Sequence, residues 1–168
     1  LRQGARLIPE RVERLVLLSS SARGLEKQER RSHSDENLEA WRRPIADTWD
    51  SDTPLARQMM TTYHYPGATK EQMDSYNELQ RLSSSAAGVL EFLVTHASID
   101  VSAALHEIPW PTLVIHNPAN LTFPFDEGRL VAAGIPGARF RTIESRNFLP
   151  LPGEPGFEET LQLIEQFV

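Results

Sequence analysis

The segment TIESRNFLPL, residues 142 to 151, is the first place to look for chemistry because a strand-like run ends there in a polar turn. Parallel α/β sheets bind ligands and place catalytic groups in turns of this kind, at the carboxyl ends of their strands. The side chain that follows SRN is Phe148, and a phenyl ring can neither accept nor donate a proton. The position is typical of an active site, whereas the residue type is not.

Histidine is the next candidate, either for metal binding or for acid–base work. The histidines show neither the H-E-x-x-H pattern nor a pair spaced i, i+4, so no metal site is predicted and no cofactor is expected. We interpret His116, at the end of an apolar run, as a structural residue hydrogen-bonded to the backbone. The five histidines are His33, His64, His96, His106 and His116.

Two carboxylates near predicted strand ends, Glu144 and Asp126, could face each other as an acid pair. The interpretation that we favour is structural: Asp126 places negative charge at the start of a helix, and Glu144 pairs with Arg146 or Arg141. The serines Ser19–Ser21 also follow a strand-like run, but no base stands beside them. They are interpreted as turn residues.

Composition excludes several classes of function. The chain of 168 residues has no cysteine, which rules out disulfides, iron–sulfur clusters and thiolate zinc sites. Its net charge is -6, and its basic residues are interleaved with acidic ones, so nucleic acid is not an expected partner. No apolar run approaches the roughly 18 residues of a membrane span, and the first residues do not resemble a signal peptide. We therefore expect a cytoplasmic protein. Because the chain opens directly in what is predicted to be the end of a helix, we also expect further sequence upstream of Leu1.

Three short apolar runs predict the strands: Leu15–Leu18, then PTLVIH (111–116) and ARFRTIE (138–144). The segment FDEGRLVAAG (125–134) is predicted to be a helix between the second and third runs, and FEETLQLIEQFV (157–168) a helix after the third. Strands joined by helices of this length imply a parallel sheet with right-handed crossovers. The predicted apolar stripes are Leu130, Val131 and Ala133, with Gly134 as C-cap, and Phe157, Leu161, Ile164 and Val168.

Residues 23–106 are polar and helical in pattern, and they contain no strand-like run. Several helix starts are predicted from capping residues: Thr53 before Pro54, Thr69 with Gln72 in a capping box, Ser85, and Asp100. The helix after Thr69 is predicted to present Met73, Tyr76 and Leu79, and the next one Ala86, Val89, Leu90, Leu93 and Val94. We interpret the apolar residues of this insertion as packing against the sheet, rather than as a ligand pocket; they are Trp41, Trp49, Met59, Met60, Tyr63 and Tyr65.

The order of elements and three motifs resemble the C-terminal half of an α/β-hydrolase. PERVERLVLLSS is similar to the helix end and strand that follow the nucleophile elbow, IDVSAALHEIPWPTLVIH to the return from the cap, and VAAGIPGARFRTIESRN to the elements before the catalytic histidine. The resemblance is closest to degenerate hydrolase-like modules of bacterial regulatory proteins. It implies a core of residues 1–22 and 107–168 that carries a helical cap insertion, 23–106.

The resemblance also implies a catalytic serine, acid and histidine, and this chain departs from that pattern. It has no G-x-S-x-G motif. The turn HNPAN puts Asn120 at the acid position, and Phe148 stands at the histidine position. A carboxamide can orient an imidazole but supplies no negative charge to stabilise the imidazolium, and a phenyl ring accepts no proton.

We therefore expect a non-catalytic hydrolase-like module that binds a small ligand under the cap or a protein partner. The alternative is the C-terminal fragment of an esterase-like serine hydrolase whose nucleophile lies upstream. A third interpretation is an interaction protein that self-associates through the strand Leu15–Leu18, because an unpaired strand edge recruits another strand.

Overall fold

The computed structural model describes residues 11–28 and 34–168, except for the side chains of residues 34–38. Three parallel strands form one sheet in the order β1-β2-β3, so that β2 lies in the centre. Their bounds are β1 Leu15–Leu18, β2 Thr112–His116 and β3 Arg139–Thr142. The predicted α/β class and parallel sheet are confirmed.

Six α-helices complete the described part of the chain, together with two 3-10 helices. The α-helices are α1 Ser34–Thr48, α2 Leu55–His64, α3 Lys70–Ser83, α4 Ala86–Ala97, α5 Phe125–Gly134 and α6 Pro155–Glu165; the 3-10 helices are Leu25–Lys27 and Ser102–Glu107. Helices α1 to α4 lie between β1 and β2 in the sequence. An isolated antiparallel bridge joins Arg23 to Asp100, near the two ends of the predicted insertion. The bounds of that insertion, residues 23–106, stay a prediction.

Each face of the sheet has its own apolar cluster. On one face Leu17 and Val114 pack with Leu105, Val131 and Ile135, which brings in α5 and the second 3-10 helix. The other face carries a cluster with the last turn of the chain, made by Leu113, Ile115, Ile143 and Phe167. Every residue of β2 is buried. This burial fits the apolar centre of the strand and its place in the middle of a parallel sheet.

The helical segment has a separate core of its own. Ile45, Trp49, Ala56 and Val89 are buried together, and the Trp49 indole donates to the Ser84 carbonyl oxygen at 2.8 Å. The prediction that the six apolar residues of this segment pack against the sheet is therefore wrong for several of them: Trp41, Trp49 and Met60 belong to this core, and Met59 is 37% exposed. Neighbouring helices bury these side chains without help from the sheet.

Helix α3 buries polar residues and exposes an apolar one. Asn77 and Gln80 face α2, where the Thr61 hydroxyl donates to the Asn77 side-chain oxygen at 2.5 Å and Gln80 donates to the Thr61 hydroxyl at 2.7 Å. Leu79, predicted to lie in the buried stripe, is 56% exposed. The stripe is displaced because α2 offers polar partners, among them the buried Arg57, to the face that α3 turns toward it.

The capping predictions have mixed outcomes. The Thr69 and Gln72 capping box is present at the start of α3, and Ser85 caps α4. Thr53 is not the cap of α2, because Pro54 occupies the N-cap and no side chain caps this helix. Asp100 accepts from the Ser102 backbone N–H at 2.9 Å, but it is not the cap, because Val101 stands at the N-cap of the second 3-10 helix and no side chain caps that helix.

The two helices that flank the sheet bury faces shifted from those predicted. In α5, Ala133 is exposed while Glu127, Gly128 and Val131 are buried, and Gly134 is the last helical residue instead of the C-cap. A Cβ at Gly134 would lie 2.6 Å from a Leu105 methyl carbon, so close packing explains this glycine. In α6 and the three residues after it, the predicted Leu161 and Val168 are 43% and 68% exposed; the buried residues here are Gly156, Thr160 and Phe167.

Candidate functional site at the carboxyl edge of the sheet

The first residue after β1 is strained and buried. Ser19 has φ of 47°, a left-handed conformation that is uncommon outside glycine. Its N–H donates to the Ile115 carbonyl oxygen at 2.9 Å, and its side chain is 1% exposed. The Ser19 hydroxyl has no hydrogen-bond partner among the described residues. A buried polar atom without a partner costs about 1–3 kcal/mol, so this hydroxyl is a place where water or a ligand is expected.

The other two serines of this turn have local partners. The Ser20 hydroxyl donates to the Leu18 carbonyl oxygen at 3.3 Å, and Ser21 lies 3.0 Å from a Glu127 carboxylate oxygen. The same carboxylate is 2.7 Å from the Arg23 guanidinium and is almost fully buried. The turn interpretation therefore fits all three serines. Glu127 lies in the first turn of α5 and is buried against the turn after β1.

The end of β2 places two fully buried side chains beside this turn. His116 Nε2 lies 3.0 Å from the Phe123 carbonyl oxygen, as expected of a structural histidine. Burial lowers the pKa of His116, opposed by that hydrogen bond and by nearby Glu127. Asn117 donates from Nδ2 to the Asn147 carbonyl oxygen at 2.8 Å, while its Oδ1 has no partner in the described chain. Asn117 Oδ1 and the Ser19 hydroxyl follow adjacent strands.

Asn120 is built into the turn after β2. Its Oδ1 accepts from the backbone N–H groups of Thr122 at 2.9 Å and Phe123 at 3.0 Å. Its Nδ2 donates to the Phe148 backbone carbonyl oxygen at 3.4 Å. The structure therefore brings Asn120 and Phe148 together at one edge of the sheet, while the carboxamide is fully engaged in holding two loops.

The loop after β3 is organised around the Glu154 carboxylate. Ser145 donates to Glu154 Oε2 at 2.6 Å, and the Leu151 N–H donates to Oε1 at 3.0 Å. The fully buried Asn147 donates its Nδ2 to the same Oε1. Three donors thus fix the loop that carries Phe148.

Two hydrogen bonds join this loop to the helical segment. The Phe148 N–H donates to the His64 carbonyl oxygen at 2.6 Å, at the end of α2. The Gly67 N–H donates to Asn147 Oδ1 at 2.8 Å, in the turn before α3. Asn147 therefore contacts both the sheet side and the helical side with its single carboxamide.

The Phe148 ring contacts one ring from the helical segment and one from the loop after β2. The ring centroids of His64 and Phe123 lie 5.8 Å and 5.5 Å from that of Phe148. His64 Nδ1 is 3.3 Å from the Tyr76 hydroxyl, and burial lowers the pKa of His64 to about 4. The imidazole nearest to Phe148 is therefore neutral at physiological pH.

The remaining candidate residues do not converge. Glu144 and Asp126 are both exposed; Asp126 lies 3.9 Å from Arg129, and Glu144 forms no ion pair with Arg141 or Arg146, contrary to prediction. Among the described residues, no three histidine, aspartate or glutamate side chains could together hold a metal ion. The prediction for His33 lies outside the described residues. In the part of the chain that is described, no helix is long and apolar enough to cross a membrane.

Four residues that matter at this edge were missed by sequence reasoning: Ser19 as a strained residue, Asn117, Asn147 and His64. Asn147 stands directly before Phe148 in the segment SRNF, and that adjacency is the signal that could have found it. For His64 no sequence signal exists, because 84 residues separate it from the ring that it contacts and only the folded chain brings them together.

Comparison with solved structures gives the class of this fold. A bromoperoxidase from Bacillus anthracis matches with a TM-score of 0.70 and 21% identity, over 98% of this chain and 63% of that one. An esterase from Exiguobacterium antarcticum matches at 0.75 and 15%, over 98% and 62%. The enol-lactonase from Burkholderia xenovorans matches at 0.68 and 15%, over 95% and 57%.

The class defined by these neighbours and by the sheet is the α/β-hydrolase fold, and this chain has a partial version of it with three strands. The chain spans less than two thirds of the length of each neighbour. No family model matches the sequence, and no curated protein matches it.

Proposed function

We propose that this chain is a degenerate, non-catalytic α/β-hydrolase-like module that binds a small polar ligand at the carboxyl edge of its sheet. The observation that carries the proposal is the contact between Asn120 and Phe148, at the acid and histidine positions of the resemblance. This pair joins a carboxamide to a backbone carbonyl oxygen, and it offers no group that titrates. A Ser-His-Asp mechanism needs a base that takes the serine proton and an anion that stabilises the resulting imidazolium.

The one imidazole in contact with Phe148 does not replace the missing base. His64 has a pKa of about 4 because it is buried, so it is a weak proton acceptor. Its Nδ1 faces the Tyr76 hydroxyl, and no carboxylate of the described residues is hydrogen-bonded to the ring. The imidazolium formed by proton uptake would therefore have no anion beside it.

The proposed ligand has both a hydrogen-bond donor and an acceptor. Asn117 Oδ1 is an acceptor without a partner, and the Ser19 hydroxyl can donate or accept. A primary amide of a short acyl chain supplies both kinds of group. The carboxyl ends of parallel strands are where α/β sheets bind ligands, which supports this placement.

Binding and turnover can be tested separately. Butyramide is titrated into the protein and followed by NMR, and p-nitrophenyl butyrate is used to measure hydrolysis. We expect saturable binding of butyramide, weakened at least fivefold in Ser19→Gly, which removes the hydroxyl and tolerates the positive φ. Ser20→Ala is the matched control and should bind as the wild type does. No binding, or equal binding by both variants, would refute the ligand site.

The non-catalytic part of the proposal has its own test. We expect hydrolysis of p-nitrophenyl butyrate no faster than in buffer, and no labelling by a fluorophosphonate reagent, which reacts with activated serines. Saturable turnover with stoichiometric labelling would overturn it, and labelling of Ser19 would locate the nucleophile.

The alternative function is that of the C-terminal portion of an esterase-like serine hydrolase. It is favoured by one observation: the chain spans 62% of the esterase that it resembles in fold, so a nucleophile could lie in sequence outside this chain. Expressing the chain together with any preceding coding sequence and repeating the ester assay distinguishes the two. Activity that survives replacement of both Asn120 and Phe148 by alanine would favour a hydrolase with a different relay.

A further inference from the structure

A cleft lies between the turn before α3, one side of α3 and the loop that follows Phe148. Its volume is about 420 Å³, within the range of small-molecule sites. It shares no lining residue with the polar group Ser19, Asn117 and Asn120. The residues that line it are Tyr65, Ala68, Glu71, Gln72, Ser75, Tyr76, Leu79, Leu151 and Pro152.

Two tyrosine rings line the cleft side by side. The centroids of Tyr65 and Tyr76 are 4.7 Å apart and the ring planes are inclined by 68°, so that one ring presents its face where the other presents its edge. Burial raises the pKa of both hydroxyls, that of Tyr65 to about 12, and both rings are therefore uncharged phenols at neutral pH. The face of an uncharged aromatic ring attracts cations.

Glu71 is the one charged residue of the lining, and none of the nine residues is basic. Its carboxylate is exposed and takes part in no hydrogen bond or ion pair with the described residues. The neighbouring Lys70 does not line the cleft, and its ammonium is held 2.5 Å from Asp74 on the next turn. Glu71 interacts electrostatically with Lys70, and it supplies the one formal charge of the lining itself, which is negative.

The start of α3 could favour an anion instead, because a helix N-terminus carries positive partial charge. Here the capping box uses two of the orphan donors: the Gln72 N–H donates to the Thr69 hydroxyl at 3.3 Å, and the Thr69 N–H donates to the Gln72 side chain at 2.9 Å. Glu71 in the first turn compensates the remaining dipole. Two tyrosine rings and a carboxylate therefore dominate the recognition properties of this cleft.

We propose that this cleft is a binding site for a small organic cation, of the alkylammonium class, held by Tyr65 and Tyr76 and by the carboxylate of Glu71. The apolar remainder of the lining, Leu79, Leu151 and Pro152, suits the alkyl groups of such a cation. The protein's net charge of -6 favours the approach of cations from solution. This inference is independent of the site at the carboxyl edge of the sheet.

Tetramethylammonium is the probe, and tert-butanol is its uncharged counterpart of similar size. Each is titrated into the protein and followed by NMR through the tyrosine ring signals. We expect saturable, millimolar binding of tetramethylammonium that is at least tenfold tighter than that of tert-butanol. Equal affinities, or no shift of the tyrosine signals, would overturn the proposal.

Variants locate the site. Glu71→Gln should weaken tetramethylammonium binding three- to tenfold, and Tyr76→Leu should weaken it at least tenfold. Glu91→Gln, which removes an exposed carboxylate of α4, is the matched control for charge and should have no effect beyond twofold. Circular dichroism of each variant shows whether it is folded. If Tyr76→Leu unfolds the protein, the comparison of Glu71→Gln with Glu91→Gln still tests the site. Equal effects of those two substitutions on tetramethylammonium binding would refute it.

Discussion

The Nδ2 atom of Asn120 lies 3.4 Å from the backbone carbonyl oxygen of Phe148 and joins the loops that follow β2 and β3. The same side chain accepts two backbone N–H groups with its oxygen. Asn120 is thus a loop-organising residue as well as the occupant of the acid position of the resemblance. Three polar contacts made by one carboxamide should be visible in stability.

Replacing Asn120 separates its two roles. Asn120→Asp keeps the oxygen that accepts from Thr122 and Phe123 but places a negative charge beside the Phe148 carbonyl oxygen, and we expect a loss of about 1–2 kcal/mol in the free energy of unfolding. Asn120→Ala removes all three hydrogen bonds and should cost about 2–3 kcal/mol. Urea denaturation gives both values. Gln162→Ala, an exposed substitution on α6, should change stability by less than about 0.5 kcal/mol. A smaller loss for alanine than for aspartate would contradict the structural role.

Asn147 joins the loop after β3 to the helical segment, and a charge introduced at this position should lower the stability of the protein. Asn147→Ala removes the contacts with Gly67 and Glu154 from a fully buried position, with an expected loss of about 2–3 kcal/mol. Asn147→Asp keeps the acceptor for Gly67 but sets two carboxylates against each other, so it should be worse than alanine at pH 7. The penalty should shrink as the pH falls, because protonation of one carboxyl of such a pair relieves the repulsion. Denaturation at pH 7 and pH 4.5 measures this, and a penalty that is the same at both pH values would rule the explanation out.

The buried His64 predicts a pH dependence of stability. An unfolded imidazole titrates near 6.5, whereas burial lowers the pKa of His64 to about 4 in the folded protein. Between these values the unfolded chain binds more protons than the folded protein does. The free energy of unfolding therefore decreases as the pH falls from 6.5 toward 4. The contribution is on the order of 3 kcal/mol at 1.36 kcal/mol per pKa unit. Burial also lowers the pKa values of His96 and His116, which act in the same direction.

A phenylalanine at position 64 should reduce this dependence. His64→Phe keeps a ring against Phe148 and Tyr76 but has no proton to gain, so we expect a shallower fall in stability between pH 6.5 and pH 4 than in the wild type. His106→Gln, at an exposed histidine, is the control and should follow the wild-type curve. Curves for His64→Phe and the wild type that run parallel would show that His64 does not titrate in this window.

Removing one partner of the ion pair between Arg23 and Glu127 should destabilise the protein more than removing both partners. Glu127 is nearly fully buried, and Arg23→Met would leave its carboxylate without the guanidinium; losses of about 3–5 kcal/mol are usual for such changes. The double substitution Arg23→Met and Glu127→Met removes both charges and should be less destabilising than Arg23→Met alone. Urea denaturation of the wild type and of these two variants forms the test. A double variant that is the least stable of them would contradict it.

The edge of β1 makes self-association a further prediction. Among the described residues β1 pairs with β2 alone, so its other edge carries unpaired backbone groups. We propose that two copies pair there, and sedimentation at high concentration should show dimers. Val16→Pro removes one donor N–H and should shift the equilibrium toward monomer. Val94→Lys, at an exposed position of α4, is the control. A wild-type protein that remains monomeric would end this proposal.

Much of the sheet follows from local pattern, and little of the site does. The apolar runs around Leu17 and Val114 predicted two strands of a parallel sheet, because an uninterrupted apolar stretch of strand length suits a sheet covered on both faces. The third strand was predicted from ARFRTIE, with Phe140 and Thr142 on one face and Ile143 on the other. Helix faces were predicted less well: in α3 the periodicity pointed to Leu79, while tertiary packing buried Asn77 against Thr61. Periodicity identifies which side chains lie on one face, and it does not say whether the neighbouring helix offers apolar or polar partners.

The sequence alone determined the residue types at the two loop tips, a carboxamide at Asn120 and a phenyl ring at Phe148, and with them the absence of a titrating pair at those positions. Only the tertiary structure decided what surrounds them: the strained and buried Ser19, and the hydrogen bond from Gly67 to Asn147 across 80 residues of sequence. Local propensity acts over a few neighbouring residues, whereas burial and hydrogen bonding between distant segments arise only when the chain has closed on itself.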